Sequence, residues 1–263
     1  MATRRIRWPS LQLRENLHVV LDAVHHPFHL PLVSTPHTCN PPEPGQTSRQ
    51  LLVPLAPTDP SYASIKRALD IILSVTAIIL LTPVFLAIAL AILSTSGRPV
   101  IYRQTRLGLG GQPFTLYKFR SMVPDADERL AAMRFAHLLA FPADPILKLP
   151  EEDTLITPIG RFLRTTSLDE LPQFVNVLKG EMSLVGPRPP LSQEAAVYTP
   201  RQARRLSVLP GLTGIWQVSG RSTVTFDRWI DMDLEYLDRR SLRIDLLILL
   251  RTIPAVLSRK GAR

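Results

Sequence analysis

The sequence predicts a helix-dominated α+β fold: a re-entrant membrane helix joined to a domain on the cytoplasmic face, with a short β-hairpin and amphipathic interfacial helices. Three observations carry that expectation. Residues 68–93 form a 26-residue stretch in which only Asp70, Ser74, Thr76, Thr82 and Pro83 are not apolar. Two runs of strand-forming residues follow it, separated by a turn carrying Gly108, Gly110 and Gly111. Two C-terminal segments read as helices: 226–239 with Phe226, Trp229 and Tyr236 on a polar background, and 242–259 apolar with basic ends.

In chain order, residues 1–61 come first. They hold five of the six histidines and a proline cluster (Pro36, Pro41, Pro42, Pro44, Pro54, Pro57, Pro60) and show no sustained period. This reads as an extended, disordered N-terminal extension with a short helix over 10–24. His25, His26, His29, His37 and Cys39 resemble a metal cluster on paper, but no acidic or second cysteine ligand completes a known spacing. The single cysteine excludes a disulfide within the chain. Arg14, Glu15 and His18 interrupt any apolar run behind the first arginines, so the N-terminus does not read as a cleaved signal peptide.

Residues 62–97 are the expected membrane segment. The apolar stretch is long enough for the ~30 Å hydrocarbon core. Pro83 removes a ladder hydrogen bond and should kink the helix, while Thr82 can bond back to the backbone. Lys66 and Arg67 precede the apolar stretch 68–93, and Arg98, Arg103 and Arg106 follow it. The positive-inside bias therefore favours one side for both ends, which a helix that dips in at Thr82-Pro83 and returns satisfies.

Residues 98–263 make the remaining domain. Val100–Gln104 and Phe114–Phe119 are the expected hairpin strands. A helix is expected from Pro124, residues 142–158 read as loop, and "ELPQFVNVLKG" reads as a short helix closed by Gly180. The helices at 226–239 and 242–259 suit a bilayer surface, with packing on the core an equal alternative.

The chain is basic, with 31 Lys plus Arg against 22 Asp plus Glu and a net charge of +9. Such a charge fits an anionic partner without choosing among nucleic acid, lipid head groups and phosphorylated small molecules. Against that background, "TSLDELPQF" sets Asp169 beside Glu170. Both are expected at a helix N-terminus with Pro172 in the first turn, where capping is the plain reading. Three neighbours point further. Arg161, Arg164 and Arg188 surround the pair in sequence; "SLVGPRPP" presents Arg188 between Pro187 and Pro189; and "YKFR" sets Lys118 and Arg120 on one face of a strand. A guanidinium held out by flanking prolines suits a diphosphate.

The ordered series "YRQTRLG…YKFRSM…LRTTSLDELPQFVNVLKGEMSLVGPRP…PGLTGIWQVSGR" closely resembles the bacterial sugar transferases, the monotopic polyprenyl-phosphate phosphoglycosyl transferases of the exopolysaccharide-initiating type. The resemblance covers residues 64 to about 260. It implies transfer of a sugar 1-phosphate from a UDP-sugar to undecaprenyl phosphate, with UMP released and Mg²⁺ required. It implies Asp169 as nucleophile, Glu170 as metal ligand, Arg164 and Arg188 on phosphates, Lys118 and Arg120 in support, and Pro187 and Pro189 shaping the loop. The family's re-entrant helix breaks at Ser-Pro, here Thr82-Pro83. The implied location is the bacterial inner membrane with the catalytic domain facing the cytoplasm; a homo-oligomer stays open. Glucose or galactose is the expected sugar, with an N-acetylated amino sugar as the alternative. The competing readings are a membrane-tethered nucleic-acid binder and an inactive scaffold of the polysaccharide machinery. The first lacks any nucleic-acid-binding signature, so no nucleic-acid partner is expected. The intact Asp169, Glu170 and Arg188 oppose the second.

Overall fold

The computed structural model describes residues 53–140, 150–220 and 224–259. The histidine-rich stretch and Cys39 lie outside the described residues, as does the helix expected over 10–24. Residues 53–58 do not behave as a free extension. Ala56 N donates to Ser207 O at 3.0 Å, and the Arg240 guanidinium reaches the Thr58 hydroxyl at 2.9 Å and the Pro57 carbonyl. The expected boundary at residue 61 is thus too late, because backbone of the proline-rich stretch finds partners on the domain.

Helix α1, Pro60–Ser96, is the apolar segment. Asp59 caps it by accepting from Ser61 N at 2.8 Å, and Gly97 ends it with φ 72°. Its 37 residues would span about 55 Å at 1.5 Å each. Helical residues continue on both sides of Pro83, and the Thr82 hydroxyl donates to Ile78 O at 2.8 Å. The proline therefore costs one ladder bond and not the helix.

Only Asp70, Ser74, Ile88 and Ile92 of α1 are buried. At 100° per residue these positions fall within about 40° of one another, a single narrow stripe. The other faces expose large apolar residues, Ile79 at 66% and Leu80 at 72% among them. The helix is long and apolar enough to cross a membrane, by length and composition, with a mean hydropathy of 2.7 in its most apolar window. Both of its ends rest on the same body.

After α1 come β1, Ile101–Leu107, and β2, Pro113–Phe119, antiparallel with Ile101 opposite Phe119 and Leu107 opposite Pro113. The hairpin is longer than expected because Gly110 (φ 66°) and Gly111 (φ 81°) confine the turn to a few residues. Helix α2 is Ala126–Ala140. The expected loop before residue 158 contains a 3₁₀ turn, Pro150–Leu155. Helix α3, Pro158–Thr166, opens on Thr157, whose hydroxyl accepts from Gly160 N at 3.0 Å. A Cβ on Gly160 would lie 1.8 Å from Ser121 O, so only glycine lets α3 pack against the exit of β2.

Helix α4 is Gln173–Lys179, closed by Gly180 at φ 82° as its sequence predicts. Strand β3, Ser183–Val185, runs parallel to β4, Gly211–Thr213. A Cβ on Gly211 would sit 2.0 Å from Gly186 N, which is why glycines occupy both strand ends. Short helices α5 (Ser192–Ala196), α6 (Pro200–Ala203) and α7 (Ile215–Ser219) lead to α8, Phe226–Arg239, and α9, Leu242–Ser258.

The main core gathers Leu116, Val177, Met182, Leu184, Ile230 and Ile248. A second cluster joins Ile88 and Ile92 of α1 to Phe119 and Leu163. The two C-terminal helices differ from each other. In α8, Ile230, Leu234, Tyr236 and Leu237 are buried, so this helix packs on the core. In α9, Leu246, Leu247, Leu250, Ile253 and Leu257 stay exposed along one stripe. Only α9 keeps the outward apolar face expected of an interfacial helix.

Candidate active site

Ser167 decides where the acidic pair sits. It takes the left-handed conformation (φ 58°, ψ 17°) and ends α3, with its N–H bonded to Arg164 O at 3.1 Å. The chain then makes a 3₁₀ turn, Leu168–Glu170, and α4 opens only at Gln173 with Pro172 before it. The expected helix start at Asp169 is thereby corrected. Pro172 cannot donate a backbone hydrogen bond, so the α ladder restarts beyond it. Asp169 is not a helix cap; it is a carboxylate in a tight turn.

Lys118 meets both acids. Its Nζ lies 3.1 Å from Glu170 Oε1 and 3.8 Å from Asp169 Oδ2. The approach depends on Asn176 of α4, which is fully buried. Its Oδ1 accepts from Tyr117 N at 3.1 Å and its Nδ2 donates to Thr115 O at 2.6 Å, holding the edge of β2 to α4. Asp169 is 7% exposed and Glu170 more open. Burial pushes the Asp169 carboxyl up to about 6 from 3.8; Lys118 opposes the shift, Glu170 reinforces it, and Arg164 opposes it. Lys118 and Arg164 thus favour the ionised form that burial opposes.

Beside the pair opens a small cleft whose lining includes Lys118, Glu170, Arg188 and Pro189 of the expected residues. Arg106, Gln173 and Gln217 complete its polar wall, and Gly211 and Leu212 its floor. Asp169 lies behind Lys118 and Glu170 and does not line the cleft. Arg164 stands to one side, its Nε donating to Ser121 Oγ at 2.9 Å. Arg120 is elsewhere. Its guanidinium bonds Ser96 O and, at 2.7 Å, Gly97 O, the last carbonyls of α1. The i, i+2 alternation that paired it with Lys118 fails because β2 ends at Phe119.

Three features escaped the sequence reading. Arg106 is buried, its Nη1 donating to Pro189 O at 3.1 Å and its Nε to Gln104 Oε1 at 2.9 Å. Burial and the charge of Arg188 lower its pKa to about 10. Gln173 is also buried. Trp216 and Trp229 wall in Arg188, whose Cζ lies 5.9 Å from each ring centroid. The quoted "YRQTRLG" and "GIWQVSG" runs contain two of these residues, but only the tertiary fold turns them toward one point.

Among the described residues no group of three or more His, Cys, Asp or Glu could cage a metal ion. Two adjacent carboxylates suit Mg²⁺ of the kind that keeps waters and shares its sphere with substrate phosphates. The site fits that arrangement and no all-protein one.

Comparison with known proteins agrees in extent with these motifs. The profile described as "Bacterial sugar transferase" matches residues 61–259. The chain is 46% identical over 168 residues to the galactosyl transferase CpsE of Streptococcus agalactiae, covering 64% of this chain but 36% of that protein. It is 38% identical over 197 residues to the exopolysaccharide production protein ExoY of Rhizobium meliloti, covering 75% of this chain and 87% of that one. It is 39% identical over 205 residues to the UDP-glucose:undecaprenyl-phosphate glucose-1-phosphate transferase of Caulobacter vibrioides, covering 75% of this chain and 71% of that protein. The chain thus spans about a third of the first relative's length and most of the other two.

Proposed function

The chain belongs to the bacterial sugar transferase family, and on that premise we propose that it transfers a hexose 1-phosphate from a UDP-sugar to undecaprenyl phosphate and releases UMP. The step would open exopolysaccharide or related glycan synthesis. A single observation carries the reading: a buried carboxylate, Asp169, stands within reach of Lys118 at the edge of a cleft walled by Arg106 and Arg188. Relatives whose names specify galactose and glucose support a hexose.

In the first half-reaction an Asp169 carboxylate oxygen attacks the phosphorus that bears the sugar. The bond from that phosphorus to the bridging oxygen breaks, and the oxygen leaves on UMP. A phosphate oxygen of undecaprenyl phosphate then attacks the same phosphorus, forming the lipid diphosphate and freeing the carboxylate. Splitting the reaction lets a soluble donor and a lipid acceptor use one site in turn. Repulsion between a carboxylate and a diphosphate is the obstacle. Arg188 offers a planar fork to the phosphate oxygens, Arg106 adds a second cation, and Lys118 neutralises the acids until the donor arrives. Glu170 would hold Mg²⁺ together with donor phosphates, and the ion would neutralise charge on the transferring group. Arg164 lowers the energy of ionised Asp169 from the side.

The contacts of α1 support the proposed membrane placement. Near its start Arg67 donates to Val177 O and Leu178 O at 2.6 and 2.8 Å, and Asp70 accepts from Leu184 N at 3.0 Å. Near its end Phe85 packs against Phe119 with the rings tilted by 58°, and Arg120 holds the carbonyls of Ser96 and Gly97. Between Asp70 and Ile92 lie about 33 Å of helix, as long as the hydrocarbon is thick. A straight crossing would draw the charged body into lipid along with the buried stripe. We therefore place α1 in one leaflet of the bacterial inner membrane, re-entrant around Thr82-Pro83, with the site on the cytoplasmic face.

The test is a panel of UDP-sugars offered with undecaprenyl phosphate and Mg²⁺, reading UMP. UMP formed with one UDP-hexose and dependent on the acceptor is the expected result. Absence of UMP with every sugar would refute the activity.

A further inference from the structure

Prolines cannot donate backbone hydrogen bonds, so a Pro-Arg-Pro-Pro loop has a single backbone donor, Arg188 N, and is tied down mainly through its carbonyls. All four are taken. Gly211 N donates to Pro187 O at 2.8 Å, Arg205 Nη2 to Arg188 O at 3.0 Å, Arg106 Nη1 to Pro189 O at 3.1 Å, and Leu107 N to Pro190 O at 3.0 Å. Two of the four donors are backbone amides fixed by the strands. The other two are buried arginines, and one of them lies away from the cleft.

That one is Arg205. It is 1% exposed, in the turn Arg204–Ser207, and it spends its charge inside the protein. Its Nη2 also bonds the carboxylate of Asp233 in α8, itself 1% exposed, and its Nη1 donates to the Tyr198 hydroxyl at 2.9 Å. Its Cζ lies 4.7 Å from the centroid of Trp229, the ring that also walls in Arg188. A fully buried ion pair is a weak source of stability, because desolvation offsets most of the attraction and apolar residues of similar volume often serve as well. Something other than stability is needed to account for an Arg205 that reaches the one carbonyl belonging to Arg188.

We propose that the buried Arg205–Asp233 pair is a positioning element for the reaction: Arg205 fixes the Arg188 carbonyl and the Trp229 wall, and so sets where the Arg188 fork meets the donor diphosphate. This rests on the reading of Arg188 as a donor-phosphate ligand. Asp233 supplies the countercharge that keeps Arg205 in place. The fork is then pre-organised and loses little freedom on binding. Without the pair the loop keeps three carbonyl bonds but Arg188 loses the one at its own residue.

The test uses the full chain in lipid nanodiscs with undecaprenyl phosphate and the UDP-sugar it turns over, measuring kcat and donor KM beside a thermal melt. Arg205→Lys keeps the charge opposite Asp233, but a point ammonium cannot serve Asp233, Tyr198 and Arg188 together. It should melt near the natural protein and lose about 10- to 100-fold in kcat/KM for the donor, the scale of a misplaced positioning group. The double variant Arg205→Met/Asp233→Leu replaces the pair by apolar bulk, and should keep or raise the natural melting temperature while losing activity to a similar extent. In an Arg188→Ala background the same double change should cost no more than about twofold further, because both act through one fork. Natural activity together with natural stability in the double variant, or losses that add fully to those of Arg188→Ala, would reduce the pair to a structural role and overturn the inference. So would unfolding of both Arg205 variants. Normal turnover by Arg188→Ala alone would refute the phosphate-binding reading of Arg188, and the positioning role would fall with it.

Discussion

Helix α1 and the cleft around Asp169 depart from an ordinary water-soluble protein in opposite senses. Along α1, Ile79, Leu80, Leu86 and Leu90 are more than half exposed, and α9 adds Leu246, Leu250 and Leu257. At the cleft Arg106 is buried, and so are Asp169, Arg205 and Asp233 in the protein behind it. Apolar surface turned outward at this scale calls for a non-aqueous partner, and charge turned inward calls for a paired or catalytic use. The difference separates two kinds of cation. Arg67, Arg120 and Arg205 are spent on backbone carbonyls inside the protein. Lys118 and Arg188 line the cleft, Lys118 beside the two acids and Arg188 beside the tryptophans.

Substitutions that touch one region and spare the other sharpen this contrast. The largest effect is expected from Asp169→Asn, which should cut transfer by at least roughly 10⁴-fold, as removal of a nucleophile does. Its melting temperature should not fall. With the folded-state pKa raised to about 6, Asp169 contributes stability that is complete below the ordinary carboxylate value and is lost as pH rises through 6. At pH 8 the natural protein therefore bears a buried charge that the amide lacks, and a melt at pH 8 should favour Asn. By the same sign, kcat/KM of the natural enzyme should fall as pH drops below about 6, since the protonated carboxyl cannot attack. A variant less stable than the natural protein at pH 8 would deny Asp169 its strained burial.

Arg188→Lys comes next, with an expected loss of about a hundredfold in kcat/KM, because an ammonium cannot reproduce the forked contact. Full activity of the lysine variant would move the donor phosphates to another part of the cleft. On the other region, Leu80→Lys places a charge on the most outward turn of α1. It should cost about 2.5–3.5 kcal/mol of bilayer insertion and lower membrane recovery in flotation, while activity in detergent stays near normal. Equal recovery of both proteins would show that this face does not meet lipid. The smallest effect is expected from Glu170→Gln, which should raise the Mg²⁺ concentration for half-maximal rate by about tenfold, the 1.4 kcal/mol scale of one lost charged contact. An unchanged Mg²⁺ titration would leave Glu170 as a partner of Lys118 only.

The two regions were also unequally legible in the sequence. Helix α1 could be read from composition alone, since hydropathy over some twenty residues depends on no distant contact. The hairpin and the Gly180 stop were legible for the same local reason. The site was legible as a set of residues and not as an arrangement. Asp169 and Glu170 announced themselves as adjacent acids, but their placement in a 3₁₀ turn depends on the left-handed Ser167, and no pattern marks a serine for that role. Lys118 reaches them only because Asn176 binds β2 to α4 across more than fifty residues of chain. Arg120 shared a strand pattern with Lys118, yet the strand stops one residue too soon for both to face the cleft. Arg106 was legible only as a basic residue following the apolar segment, and nothing in the sequence singles out Arg205. Their burial follows from carbonyl partners on a proline loop some distance away in sequence, which periodicity does not encode.

The central claim is that Asp169 carries the sugar phosphate between a soluble donor and a lipid acceptor. The most direct measurement is mass spectrometry of the purified protein after incubation with the UDP-sugar that supports turnover, Mg²⁺ and no undecaprenyl phosphate, followed by rapid acid quench and peptide mapping. The account predicts one equivalent of UMP per active protein and a hexose-phosphate adduct on the peptide containing Asp169, discharged when undecaprenyl phosphate is added and absent from Asp169→Asn. UMP release that requires the acceptor from the outset, with no adduct at Asp169 under any quench, would mean direct transfer and would contradict it.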